Sequence, residues 1–112
     1  MLKIELIGKL GRDPELNYRP NGDAVVNFPV ACNNGKDADG NPKPPEWIDV
    51  SAWGPRAELI NKSFNKGDGI YVEGSPKAES WVGDDGVRRE KLKVTAFRVE
   101  SAGKARPVED SD

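Results

Sequence analysis

In the run EWIDVSAWG, residues 46–54, Trp47, Asp49, Ser51 and Trp53 alternate with Ile48, Val50 and Ala52. A β-strand projects successive side chains to opposite faces. This spacing therefore predicts two indoles, a carboxylate and a hydroxyl on one side and an aliphatic set on the other. The aliphatic set is the natural core. Indoles left on a polar, wetted face need a flat partner, which a nucleobase supplies; cover by a loop or a second subunit is the competing use of that surface. Other chemistry is scarce. The chain has no histidine and one cysteine, Cys32, which removes imidazole catalysis, His/Cys zinc sites and any internal disulfide. Asp37, Asp39, Glu46 and Asp49 could be drawn as a divalent-cation cluster. The first two, however, lie in a segment of turn composition, and the spacing matches no calcium loop. Cys32 ends an apolar run and is expected as a small core side chain. No catalytic residue, metal or cofactor is predicted.

The elements that must hold these residues are short strands punctuated by turns. Residues 2–10 (LKIELIGKL) set Leu2, Ile4 and Leu6 against Lys3 and Glu5; Gly8 and Gly11 permit a bend or bulge, and Asp13-Pro14 a turn. Pro20-Asn21-Gly22-Asp23 is a hairpin signal, because Asn-Gly readily takes positive φ. A strand over 24–32 (AVVNFPVAC) follows, with Val26, Phe28 and Val30 inward and Pro29, lacking an N–H, expected at an edge or bulge. Residues 33–45 form a polar loop long enough to suggest function.

After the tryptophan strand, residues 55–65 (PRAELINKSFN) read as a helix. Pro55 suits a first turn, Ala57, Ile60 and Phe64 recur at helical spacing with Leu59 beside them, and Lys66-Gly67 closes it. Residues 69–74 (GIYVEG) are a strand with Ile70 and Val72 inward and Tyr71 outward, available to a base or a subunit contact. An extended hairpin spans 75–89 around Gly83-Asp84-Asp85-Gly86. The last strand, 91–100, has Leu92, Val94 and Ala96 inward; Phe97 and Val99 break parity, which predicts a bulge or a second buried contact. Five strands with one helix between the third and fourth is the order of the OB-fold. The predicted fold is all-β with one short helix: a five-stranded OB-fold barrel over residues 1–101 with a long hairpin between strands 4 and 5. Residues 102–112 are expected to form a short, acidic, disordered tail.

Charge alone does not point to nucleic acid. The net charge is −2; three of the 19 acids fall in residues 107–112, leaving 17 bases against 16 acids over residues 1–106. That balance is far from the strongly basic one of a protein that binds mainly through phosphates. Stacking has to supply the affinity. No 18-residue apolar run and no basic-then-apolar leader are present, so a soluble, unexported, cytoplasmic protein with no membrane contact is expected.

LIGKLGRDPELNYRPNGDAVVNFPVA, EWIDVSAWGPRAE and KGDGIYVEGSPKAESW, in this order, resemble the successive signatures of bacterial-type single-stranded DNA-binding proteins, over residues 2–101. The resemblance implies an OB-fold, usually a homotetramer, that wraps single strands without sequence preference in replication, recombination and repair. It puts base-stacking aromatics at Trp47, Trp53 and Trp81, and backbone-following cations at Lys3, Lys66 and Lys77. Arg56 joins them here because it lies one turn from Trp53. Three departures weaken the implied binding or its partnerships. Asn33-Asn34-Gly35-Lys36 offers no aromatic where the family often has one. Pro55 and Glu79 stand where the family usually has bases. The chain ends Glu109-Asp110-Ser111-Asp112, without the terminal Phe of an acidic partner-recruiting peptide, which puts tail-mediated replication and repair partners in doubt. The alternative function is an OB-fold accessory subunit, of primosome or assembly type, using the same aromatic face for protein contacts.

Overall fold

The computed structural model of the chain describes residues 1–105. Its elements are β1 (Ile4–Leu10), β2 (Glu15–Tyr18), β3 (Ala24–Cys32), β4 (Glu46–Trp53), α1 (Pro55–Ser63), β5 (Gly69–Val82) and β6 (Arg88–Ser101). The strands run β1-β5-β6-β4-β3-β2 across the sheet, and a further β1–β3 pairing closes β1, β5, β6, β4 and β3 into the five-stranded OB-fold barrel. Four of its five seams are antiparallel; β4 against β6 is parallel. Closure gives each of the five barrel strands a partner on both sides and leaves β2, paired with β3 alone, as the outlying strand.

Alternation decides the inside. Val26, Phe28 and Val30 of β3, Ile48, Val50 and Ala52 of β4, Leu6 and Leu10 of β1, Ile70 and Val72 of β5, and Val94 and Ala96 of β6 fill the barrel. The helix plugs one end with Ala57 and Ile60, joined by Phe64 just beyond its last turn, while Leu59 stays exposed. It begins at Pro55 and ends at Ser63, earlier than the sequence predicts. Phe64 is already extended, its N–H still reaching Ile60 O, so Lys66-Gly67 belongs to the following turn and the basic residue of the last helical turn is Lys62.

Three further local findings refine the sequence reading. The hairpin at Pro20–Asp23 has a short first arm, β2, paired with β3 from Glu15↔Asn27 to Tyr18↔Ala24. Pro29 is at neither an edge nor a bulge. It faces the gap where β2 has ended and β1 pairing has yet to begin, so its missing N–H costs no ladder bond, and its carbonyl accepts Gly11 N–H at 2.9 Å. The parity break is a bulge on β6: Glu73 pairs with Arg98 and Gly74 with Ala96, leaving Phe97 as the extra residue. A Cβ at Gly74 would lie 2.4 Å from Thr95 O, so this bend needs glycine for the close approach. Beyond it β5 and β6 continue together as the hairpin to Val82 and Arg88.

The described chain runs past the barrel's last strand. Ala102 N–H bonds Gly69 O, Gly69 N–H bonds Gly103 O, and Ala105 N–H bonds the Asp68 carboxylate at 2.7 Å. Residues 102–105 are therefore docked rather than part of a loose tail; the rest of the predicted tail, 106–112, lies outside the described residues.

Candidate nucleic-acid interface

β4 positions the indoles. Its aliphatic side chains are drawn into the barrel, and the register places Trp47, Asp49, Ser51 and Trp53 together on the outer surface. Directly opposed residues share a face, so the surface extends across both seams. On one side come Val25, Asn27, Pro29 and Ala31 of β3; on the other, Lys93 and Thr95 of β6 stand beside Asp49 and Ser51. Through the hairpin register, Lys93 pairs with Lys77, Lys91 with Glu79 and Arg89 with Trp81. Trp81 thus joins the same surface from the hairpin arm. Trp47, Trp53 and Trp81 are 50%, 37% and 46% exposed.

Each indole has its own setting. Trp47 lies over Gly11, where a Cβ would come within 2.5 Å of Cζ3, so the absent side chain lets the ring settle against the barrel. A cleft lined by Glu46, Trp47, Ala78, Glu90, Lys91 and Leu92 separates it from the hairpin. Trp53 carries the Arg19 guanidinium 4.0 Å from its ring centroid, a cation–π contact that covers one face. Arg19 closes the β2–β3 hairpin, its N–H on Asp23 O and its carbonyl accepting Gly22 N–H, so its backbone is fixed beside β4. Between the indoles lies a polar depression lined by Arg12, Asn27, Phe28, Asp49, Ser51, Lys91 and Lys93. There Ser51 Oγ donates to Asn27 Oδ1 at 2.6 Å. The cations are paired: Lys91 with Asp49 at 2.5 Å, Lys93 with Glu79 at 3.2 Å and Arg12 with Glu15 at 3.9 Å.

The cations anticipated from sequence divide. Lys77 stands on the aromatic surface, exposed, and has no ion-pair partner among the described residues. Arg56 lines a separate depression with Leu59, Phe64 and Val99 on the helix side. Lys66 is exposed in the turn after the helix, its backbone N–H bonded to Asp13 at 2.7 Å. Lys3 is held by Glu73 at 3.0 Å, on the β1–β5 side of the barrel. Arg12, Arg19, Lys91 and Lys93 are the cations that sequence reading passes over. For Lys91 and Lys93 the available signal was parity: both oppose the inward Leu92 and Val94. Their closeness to β4 depends on a parallel pairing that a single strand does not announce.

Glu73 is a buried carboxylate with three partners: Lys3, the Tyr71 hydroxyl at 2.8 Å and Arg98 at 3.1 Å. The Lys3 hydrogen bond first, then that of Tyr71, holds it below the usual carboxylate range. Its proximity in turn pushes the Tyr71 phenol up to about 12. Tyr71 is accordingly a donor to Glu73, half-buried, rather than a free outward ring. Cys32 packs half-buried against the core, and burial raises its thiol pKa. Asp37 accepts the N–H groups of Asp39 and Asn41 within its own loop while Asp49 binds Lys91, so these carboxylates serve separate local contacts.

Comparison with known proteins matches residues 1–102 to the model of the single-strand binding protein family. A single-stranded DNA-binding protein of Neisseria meningitidis serogroup A is 36% identical over 107 residues, covering 90% of this chain and 59% of that protein. The single-stranded DNA-binding protein 1 of Synechocystis is 38% identical over 78 residues, 70% of this chain and 63% of that one. That of Xylella fastidiosa is 32% identical over 105 residues, 91% of this chain and 77% of that one. The chain thus spans about three-fifths of the length of the Neisseria and Synechocystis proteins.

Proposed function

The chain belongs to the single-strand binding protein family, and from that membership and its aromatic surface we propose that it binds single-stranded DNA without sequence preference. Bases stack on Trp47, Trp53 and Trp81, and Lys77, Arg12, Arg19, Lys91 and Lys93 meet the phosphates. The observation that carries this reading is three large indoles, each between a third and a half exposed, on one continuous surface, with a displaceable guanidinium over Trp53. Stacking contributes on the order of 1–3 kcal/mol per base and tolerates every base, since each has a π-face. An exposed cation–π contact is worth about 0.5–1 kcal/mol, so a base can displace Arg19 from Trp53. The protein is a binder, not an enzyme, and serves wherever strands are exposed in replication, recombination and repair in the cytoplasm. Self-association, with a homotetramer as the family resemblance implies, belongs to the same reading. The outer face of β1 offers Ile7, exposed, beside the Lys3–Glu73 cluster, and a light-scattering mass tests it.

The experiment for DNA binding is quenching of intrinsic tryptophan fluorescence by poly(dT). Strong quenching that saturates at a fixed number of nucleotides per subunit is expected. Unaltered emission, with no binding seen by anisotropy of a labelled strand, would leave the face to protein contacts.

A further inference from the structure

The aromatic surface carries its own anions. Asp49 projects from β4 between the two indoles, and its carboxylate holds Lys91 at 2.5 Å. Glu79, on the hairpin arm that also bears Trp81, holds Lys93 at 3.2 Å. Neither pair is local in the chain. Each is imposed by sheet register, Asp49 standing beside Lys93 across the parallel seam and Glu79 opposite Lys91 across the hairpin. The four groups make an alternating array of charge on the floor between the indoles, so Lys91 and Lys93 are neutralised in the free protein. The side chains of Asp49 and Glu79 are only 36% and 38% exposed, and Asp49 shares the wall of the depression with both lysines.

Resting on the single-strand reading above, we propose that Asp49 and Glu79 are built-in competitors for phosphate that make this surface selective for single strands over duplex. A phosphodiester reaching Lys91 or Lys93 must exchange with a carboxylate already there, and the displaced carboxylate remains beside it as a like charge. The electrostatic gain of each contact is thereby reduced for any polyanion. Duplex DNA feels this most, because its charge is denser and each phosphate contact contributes more to its affinity, with a salt slope of about 0.9 per phosphate against about 0.7 on a single strand. Its paired bases offer no stacking in exchange. A single strand retains stacking on three indoles and tolerates the weakened phosphate contacts. Bare lysines would favour both forms; lysines held by carboxylates leave stacking to decide.

The test uses Asp49→Asn, Glu79→Gln and the double variant, with Glu58→Gln on the helix as a control for loss of one negative charge away from the surface. The amides keep the side-chain shapes and can still accept a hydrogen bond from lysine, and the two single variants act on different strands. Affinity is measured by anisotropy for a labelled oligo(dT) and for a random-sequence duplex of equal length, across a salt series. Freeing a lysine should steepen the slope of log affinity against log salt by about 0.7 on single strands in each single variant and about 1.4 in the double. The ratio of single-strand to duplex affinity should fall several-fold. Wild-type slopes and ratios in all three variants, or equal changes in Glu58→Gln, would overturn the proposal. Wild-type protein that fails to bind oligo(dT) at all would instead sink the function on which it rests.

Discussion

Val50 and Trp53 lie three residues apart on β4 and meet opposite environments, the first wholly buried and the second exposed over the sheet. Trp53→Ala should therefore weaken oligo(dT) binding by roughly 1–3 kcal/mol and leave the melting temperature nearly unchanged, since a stacking face is lost and the core is not. Val50→Ala should do the reverse. It removes methyl groups packed among Phe28, Val94 and their neighbours, at a cost of roughly 1–3 kcal/mol of stability. Thermal melts and titrations of the two variants side by side check this; equal losses of melting temperature would mean that the faces of β4 do not divide the work. At this scale the sequence was highly legible. Period-two alternation separates Trp47 and Trp53 from Ile48, Val50 and Ala52 without any knowledge of partners. The fate of Tyr71 was not legible in the same way, because its hydroxyl bond to Glu73, and the ring of Lys3 and Arg98 around that carboxylate, depend on three strands meeting.

The elements followed from the sequence where one segment dictates its own form, and less where two segments decide together. Phe97 and Val99 announced the β6 bulge by breaking parity, and the long β5–β6 hairpin followed from turn residues between two alternating arms. The helix stop was missed by two residues because Phe64 fits both the helical stripe and an extended core position. Docking of residues 102–105 was missed because it depends on Asp68, a polar residue in a turn. Its buried carboxylate accepts the N–H groups of Ala105 and Asn65, and Lys104 lies beside it, donating to Ser63 O and standing 5.1 Å from the Phe64 ring centroid. The Ala105 and Asn65 hydrogen bonds hold Asp68 below the usual carboxylate range. A depressed folded value means that the stabilisation is complete above the unfolded value, about pH 4, and is lost as pH falls through the folded one. Asp68→Asn should consequently melt at a lower temperature than wild type at pH 7. The two melting curves should converge as pH falls below about 4, with Glu73, also depressed, sustaining a remaining acid dependence in both. A melting-temperature difference that stays constant from pH 7 to pH 2 would show that Asp68 acts through shape rather than charge.

For the whole molecule, the near balance of 17 bases and 16 acids over residues 1–106 was readable at once, whereas its arrangement was not. The barrel brings Lys91 and Lys93 of β6, Arg12 from the turn after β1 and Arg19 from the β2–β3 turn to the surface that carries the indoles, then sets Asp49, Glu79 and Glu15 against three of these four cations. Arg19 instead lies over Trp53. Like Arg19, Lys77 stands without an ion-pair partner within the described residues. Few phosphates can be neutralised on such a surface, so affinity should depend weakly on salt. The slope of log affinity against log salt is expected to be roughly two to four, rather than the ten of a strongly basic binder. Duplex should bind far more weakly than a single strand of equal length, because stacked indoles require unstacked bases and the barrel offers no dedicated element for reading a major groove. Base composition should matter little, since π-faces carry no donor or acceptor code. Titrations of oligo(dT), a mixed-sequence strand and a duplex across one salt series examine all three expectations together. Equal affinity for duplex, or a slope approaching ten, would mean that phosphate contacts dominate and that the exposed tryptophans serve some surface other than DNA.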